Sequence, residues 1–330
     1  MATQIKTWQI IDGKLREIEI SLSDSGRSES YDLESWIVTN PSIIEKGLVI
    51  IGRQVHTSSG PLDLLALDRA GNSVIVELKR DKLPRDALAQ AIDYASDISS
   101  WEIDRINETC IKYTHLSLDD IIAENFPELS LETLNINETQ RIILVGFAID
   151  PPLERMINWL SETYNVDINA LILHYTRTSS GDELLSKTSV LSEDLVEQRA
   201  KKGKYRIPMS DEPGDYEIEA LRELLIKYLS QDTVTPKRIR EILLPMCLET
   251  EYVTRDVLKS AFVEHGEAED LSKAGFAQSV ISGQIGLKKN NFLRQVIGYG
   301  YPNNPWEKDD YFIRSDYRDL VKEILDQLNN

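Results

Sequence analysis

Cysteine, histidine and positive charge are all in short supply in this chain. The 330 residues include two cysteines, Cys110 and Cys247, and no CxxC spacing. That excludes a disulfide framework and a cysteine-held structural zinc, and a reducing compartment, the cytoplasm, is expected. The four histidines, His56, His115, His174 and His265, are scattered and show neither metal-ligand nor triad spacing. No apolar run approaches the length of a membrane span, so no membrane partner is expected. The opening MATQIKTWQI lacks a basic-then-apolar leader pattern. Lysine and arginine number 37 against 55 aspartates and glutamates, a formal net charge of −18. Such a surface disfavours loose, charge-driven coating of nucleic acid. It leaves room for binding through a local patch, through a partner, or through a metal that offsets an acidic cluster.

What is present is ordinary globular material. Hydrophobic residues make up 41% of the chain, and the length suits two domains. Residues 1–200 read as an α/β domain. Asp12-Gly13 between two alternating runs signals a hairpin. A helix is expected over Glu29 to Val38 and stops at Asn40-Pro41. Ser42 to Lys46 reads as a helical turn closed by Gly47, and Leu48 to Val55 as a strand. Further on, Arg141 to Ile149, Pro152 to Tyr164, Ile168 to Thr176 and Leu184 to Leu191 read as strand, helix, strand and strand. Trp101 to Phe126 is expected to be helical and irregular, with Ser117 or Asp119 as caps. Residues 201–215 form the clearest linker, basic from Lys201 to Arg206 and then marked by Pro213-Gly214. That basic half is a tether or a phosphate-contacting strap. Residues 216–330 read as mainly helical, with Thr235-Pro236 expected at a helix start and Thr254 as a cap. Pro245 is expected to end or kink its helix. Phe276 to Ile285 is a further helix, ended by Gly286. The basic and aromatic run from Leu287 through Tyr299, Tyr301 and Trp306 is compatible with a winged-helix-like, nucleic-acid-holding module. It is equally compatible with a helical assembly domain whose aromatics are core.

One stretch organises the first domain: Gly60 to Tyr94. Leu62 to Leu67 is apolar apart from Asp63, as in a strand covered on both faces. Ala70-Gly71-Asn72 is a turn signal. Val74 to Lys79 is the partner strand, and alternation puts Ile75, Glu77 and Lys79 on one face. A tight connection makes the two strands antiparallel, so Asp63 and Glu77 fall side by side. Two neighbouring carboxylates repel unless a cation separates them. Oxygen ligands in that number suit magnesium, and a nearby lysine can steer water and balance phosphate charge. Against this stands the plain alternative of a solvated strand with a cross-strand ion pair.

Asp63…Glu77-Leu78-Lys79 resembles the PD-(D/E)XK nuclease signature, with Pro61-Leu62-Asp63 near its first half. Gly60-x-x-Asp63-Leu64-Leu65, Glu77-Leu78-Lys79-Arg80 and Gln90-x-x-x-Tyr94 are together similar to the catalytic domain of NucS-type endonucleases. The resemblance extends over about the first 200 residues on domain size, and not over the last third. It implies a restriction-endonuclease-like mixed sheet flanked by helices. It implies Asp63, Glu77 and the helical Glu34 as metal ligands, with Mg2+ as cofactor and Mn2+ as substitute. Lys79 would assist water and transition state, Gln90 would stand at the rim, and the Leu78 carbonyl would add a ligand. Cleavage in this family usually leaves a 5′-phosphate. NucS-type sequences often carry an acid after the arginine at position 53; here the pair is Arg53-Gln54. The acidic complement therefore rests on Glu34, Asp63 and Glu77, and Arg53 is either a phosphate contact or structural. The nuclease half also comes first in this chain, whereas NucS-type enzymes place it second.

The expected activity is metal-dependent DNA endonuclease action, in restriction, phage defence or repair. RNA stays open as a substrate. Cutting both strands of a duplex would favour a homodimer, though no dimer face is legible. The alternative is a non-catalytic nucleic-acid-binding or assembly protein on a nuclease fold.

Overall fold

A computed structural model describes residues 6–18, 32–192, 209–303 and 307–328. The expected linker core from Lys201 to Arg206, the polar loop from Ser21 to Ser30, the first residues of the Glu29 helix and Trp306 lie outside the described residues. The chain divides into two compact units, 1–115 with 136–204, and 116–135 with 205–330.

The first unit begins with a hairpin, β1 (Thr7–Ile11) and β2 (Lys14–Ile18). Asp12 and Gly13 both take positive φ, 49° and 75°, as a two-residue turn with the strands' own twist requires. Helix α1 (Glu34–Thr39) follows and buries Leu33 and Ile37. Its described α-helical part is Glu34–Thr39. A 3-10 turn over Pro41–Ile43 leads to Gly47, whose φ of 83° turns the chain into a strand.

Three antiparallel strands then build half of the sheet: β3 (Val49–Thr57), β4 (Gly60–Leu67) and β5 (Ser73–Leu78). The β4–β5 connection is tied by Asp68, whose carboxylate accepts from the backbone N–H of Ala70 at 2.8 Å and of Asn72 at 3.0 Å. A short strand, β6 (Lys82–Leu83), precedes α2 (Asp86–Ser99) and α3 (Ile103–Thr114). α4 (Leu118–Asn125) belongs to the other unit. The chain then returns as β7 (Gln140–Gly146), β8 (Ala148–Ile149), α5 (Pro151–Tyr164), β9 (Ile168–Arg177) and β10 (Glu183–Ser189).

The sheet order is β10-β9-β7-β5-β4-β3, with β5-β7 and β7-β9 parallel and the other pairs antiparallel. This is the expected mixed sheet. Both faces are covered, which explains the nearly unbroken apolar strands. Val74, Val76 and Leu78 pack with Leu33, Ile37 and Val145 on one face. Ile142 and Leu144 pack with Leu88 and Ala91 of α2 and Leu153 and Ile157 of α5 on the other.

The second unit is mainly helical. Ser117 caps α4 through a reciprocal box with Asp120. Helices Ile218–Leu229, Arg255–Glu264, Leu271–Gly286 and Arg318–Leu328 enclose one apolar core containing Leu225, Phe262, Ile281 and Ile324. Three sequence expectations change here. The helix expected with Thr235 as cap and Pro236 as first residue begins two residues earlier, at Val234 after Thr233. Proline fits at Pro236 because the first turn's N–H groups have no helical acceptor anyway. The chain also stays helical through Pro245, in helix Leu244–Glu249. A wide turn over Ile239–Leu243, with Leu244 N–H bonded to the Ile239 carbonyl, opens the spiral just before the proline ring. The helix expected from Phe276 starts at Leu271, because the Asp270 carboxylate caps it through the Lys273 N–H at 2.9 Å. After helix Asn291–Val296 comes a hairpin, β11 (Ile297–Gly300) and β12 (Asp309–Ile313).

Leu116–Asn135 is the larger difference. Read along the sequence it lies inside domain 1–200, yet it packs with the C-terminal unit. The reason is chemical: Glu132, 5% exposed, accepts from buried Arg255 at 2.7 Å and from Ser282 at 2.6 Å.

Candidate active site

The site grows out of the β4–β5 register. Leu64 pairs with Val76, so Asp63 stands opposite Glu77, one step towards the open end of the sheet. Alternation turns both away from the face that holds Val76 and Leu78. Asp63 is half-buried and Glu77 is 1% exposed. The Asp63 Oδ2 accepts from the backbone N–H of Leu78 at 2.8 Å, which clamps the aspartate to the edge of β5 beside Glu77. Lys79, the next residue on the Glu77 face, donates to Glu77 Oε1 at 2.5 Å. Burying a carboxylate alone is costly, so this ammonium is part of what lets Glu77 sit inside.

Helix α2 supplies the next layer. Lys79 Nζ stands 3.4 Å from Gln90 Oε1, Gln90 Nε2 donates to the Tyr94 hydroxyl at 2.8 Å, and that hydroxyl donates to the Pro61 carbonyl at 3.0 Å. Gln90 and Tyr94, four residues apart, share a helix face as their spacing requires. The relay runs from Lys79 through α2 back to the start of β4 and fixes the ammonium from two sides.

Glu34 is also buried, at 4% exposure, but it answers to β3. Arg53 Nε donates to its Oε1 at 2.5 Å. Gln54 Nε2 stands 3.5 Å from Glu34 Oε2 and 3.2 Å from Asp63 Oδ1. The Glu34–Arg53 pair lies close enough to the Tyr113 phenol of α3 to act on its pKa. Burial and, more weakly, Glu34 push that pKa up, while Arg53 pulls it down.

The structure therefore brings Asp63, Glu77, Lys79 and Gln90 together and links Glu34 to them through Gln54. Among the described residues, no group of three or more His, Cys, Asp or Glu side chains is gathered tightly enough to hold a metal ion. What faces the site is a pair of acids, Asp63 and Glu77, with an amide between Asp63 and Glu34. Two hard carboxylates suit a magnesium-type ion that keeps most of its water. Asp63 and Glu77 are the residues that would hold it. Sequence reasoning missed Tyr113, which has no spacing signal towards the site. It noted Gln54 only as a departure, although its amide is the link between the acids.

Paired acids and a lysine thus stand on neighbouring strands of a mixed sheet. Residues 28–107 match the family model described as "Endonuclease NucS C-terminal domain", a shorter stretch than the 200 residues over which the resemblance was expected. The Endonuclease NucS of Sulfolobus acidocaldarius is 38% identical over 63 residues, 19% of this chain and 25% of that protein. The Endonuclease NucS of Pyrococcus horikoshii is 33% identical over 67 residues, 20% of this chain and 26% of that protein. The chain thus spans about a quarter of the length of the curated relatives it matches. Among solved structures, a repair endonuclease from Pyrococcus abyssi aligns at 21% identity and TM-score 0.25, covering 43% of this chain and 46% of that one. An EndoMS–dsDNA complex aligns at 21% identity and TM-score 0.27, covering 44% and 49%.

Proposed function

We propose that this protein is an endonuclease that hydrolyses DNA phosphodiester bonds, in DNA repair, with a magnesium-type ion held by Asp63 and Glu77. One observation carries the reading: Asp63, Glu77 and Lys79 converge from adjoining antiparallel strands, with the lysine fixed on Glu77 and Gln90. The NucS-domain match over residues 28–107 supports it. A bound divalent ion would polarise the phosphate and make a water more acidic. The chain's own residues do the rest. Asp63, tied by the Leu78 N–H, presents a carboxylate at a set place. Lys79 holds a proton and a positive charge where negative charge grows on the phosphate. Gln90 and Tyr94 keep that ammonium from swinging away.

The test is incubation of the full chain with single-stranded DNA, duplex DNA and RNA, with and without Mg2+ or Mn2+. Cutting of DNA that needs the metal is expected. Asp63→Ala should abolish it, and Lys79→Ala should slow it by about 10²–10⁴-fold, the usual range for a proton-handling group. Circular dichroism should show both variants folded. Undiminished cutting by either variant refutes the assignment.

One feature favours a second reading. Both Asp63 oxygens already accept from protein N–H groups, and no three-acid set exists among the described residues. On that reading the fold binds nucleic acid or protein without catalysis. Calorimetry separates the two, since a wild-type chain that takes up neither Mg2+ nor Mn2+ is the inert one.

A further inference from the structure

Gln54 breaks the rule of its own strand. Neighbouring residues of a β-strand point to opposite faces, yet Arg53 and Gln54 both reach the carboxylate of Glu34. The cause is local. Gln54 has a φ of 47°, in the left-handed region that side-chain-bearing residues rarely adopt. Such outliers persist where the surroundings hold them and gather at working sites. A register shift between Ile50 and Gly52 lies just upstream, so the strand is already bent when it reaches this residue.

The result is an amide nitrogen set between two acids of different elements, Glu34 of α1 and Asp63 of β4. A primary amide ends in a donor and an acceptor of nearly the same size. A half-turn of the group replaces one by the other and moves nothing else. With nitrogen inward, the amide satisfies carboxylates. With oxygen inward, it faces the same spot as a neutral, hard ligand of the kind that divalent ions accept from Asn and Gln.

We propose that Gln54 works in two positions. Without a divalent ion its N–H ties Asp63 towards Glu34; when an ion is held, the group turns over and its oxygen becomes a further ligand beside Asp63. The inference rests on the proposed metal-dependent function and adds a residue to it. An acid at position 54 could only accept. It would bind the ion more tightly and leave the ion-free protein less stable, because three carboxylates would then repel.

The experiment uses the full chain as wild type, Gln54→Glu, Gln54→Met and Asp63→Asn. Mn2+ binding is read by calorimetry, and thermal melting is followed with and without Mn2+ at constant ionic strength. Gln54→Met keeps the length but offers neither amide atom; it should melt lower than wild type without the ion and bind Mn2+ at least fivefold more weakly. Gln54→Glu should melt lower without the ion, bind Mn2+ at least tenfold more tightly, and gain more from the ion on melting. If Gln54→Met binds Mn2+ as wild type does, Gln54 is a tether alone and the inference is overturned. It is equally overturned if Gln54→Glu binds no more tightly. In both cases wild-type binding that Asp63→Asn abolishes would leave the metal site itself standing. Absence of Mn2+ binding in wild type and Gln54→Glu alike would sink this inference together with the metal-dependent reading.

Discussion

At the scale of single residues, burial decides which groups can react. Cys247 is fully buried, and its Sγ stands 3.6 Å from the Tyr311 carbonyl. Burial pushes its thiol up to about 12, with Arg318 pulling only weakly the other way. At pH 8 about one molecule in ten thousand would carry the thiolate. Cys110 is equally buried. Neither thiol should react with Ellman's reagent in the native protein within minutes, and both should react in guanidinium. A fast-reacting thiol in the native state would contradict this burial. The same scale shows what sequence can and cannot display. Glu77 and Lys79 were legible because a two-residue period puts them on one side. Gln54 was not, because strand pattern assumes extended φ and carries no mark of a left-handed residue.

Elements are joined at the other end of the sheet by one guanidinium. Arg141 is the second residue of β7 and is 7% exposed. It reaches Glu45 before β3 at 2.7 Å, Asp68 after β4 at 3.0 Å and Asp167 before β9 at 3.3 Å. Burial works against its charge, but Glu45, Asp167 and Asp68 together outweigh burial and raise its pKa. Burial drives the Asp167 carboxyl up in turn, with Arg141 opposing. Arg141→Met should cost about 3–5 kcal/mol, since it strands buried acids. The lower end is expected because Glu45 and Asp167 reach solvent. Urea denaturation followed by circular dichroism measures it, and a loss below 1 kcal/mol would show the cluster to be ornamental. Element boundaries were readable wherever a local rule applied: Asp12-Gly13, Gly47, Ser117 and Thr254 all sit where turn and cap chemistry puts them. They were misread at Pro236, which was read as the first helical residue and stands third, where a missing donor still costs nothing. At Pro245, expected to end or kink its helix, the chain stays helical past a wide turn.

At the scale of the whole molecule, the two units do not follow the order of the chain. Residues 116–135 leave the first unit, join the second and return at Ile136. Sequence could not show this, because a helix and a turn of ordinary composition carry no address. The bond that gives the address is Glu132 with Arg255, whose side chains are 7% and 9% exposed. Glu132→Ala should therefore weaken the C-terminal unit by about 3–5 kcal/mol, leaving Arg255 buried without its main partner. Arg141→Met should weaken the other unit. Calorimetric melts of the two variants should each lower a different transition, and a common shift in both would mean that the units unfold as one.

That looped path has a consequence for synthesis on the ribosome. Leu118, Ile121, Ile122 and Leu131 are fully or nearly fully buried in the finished protein. The helix that the Leu131–Thr133 turn packs against, Leu271–Gly286, is translated much later. At about 5–20 residues per second the interval is on the order of ten seconds. The order of synthesis thus leaves the Leu131–Thr133 turn without the helix it packs against until late in translation.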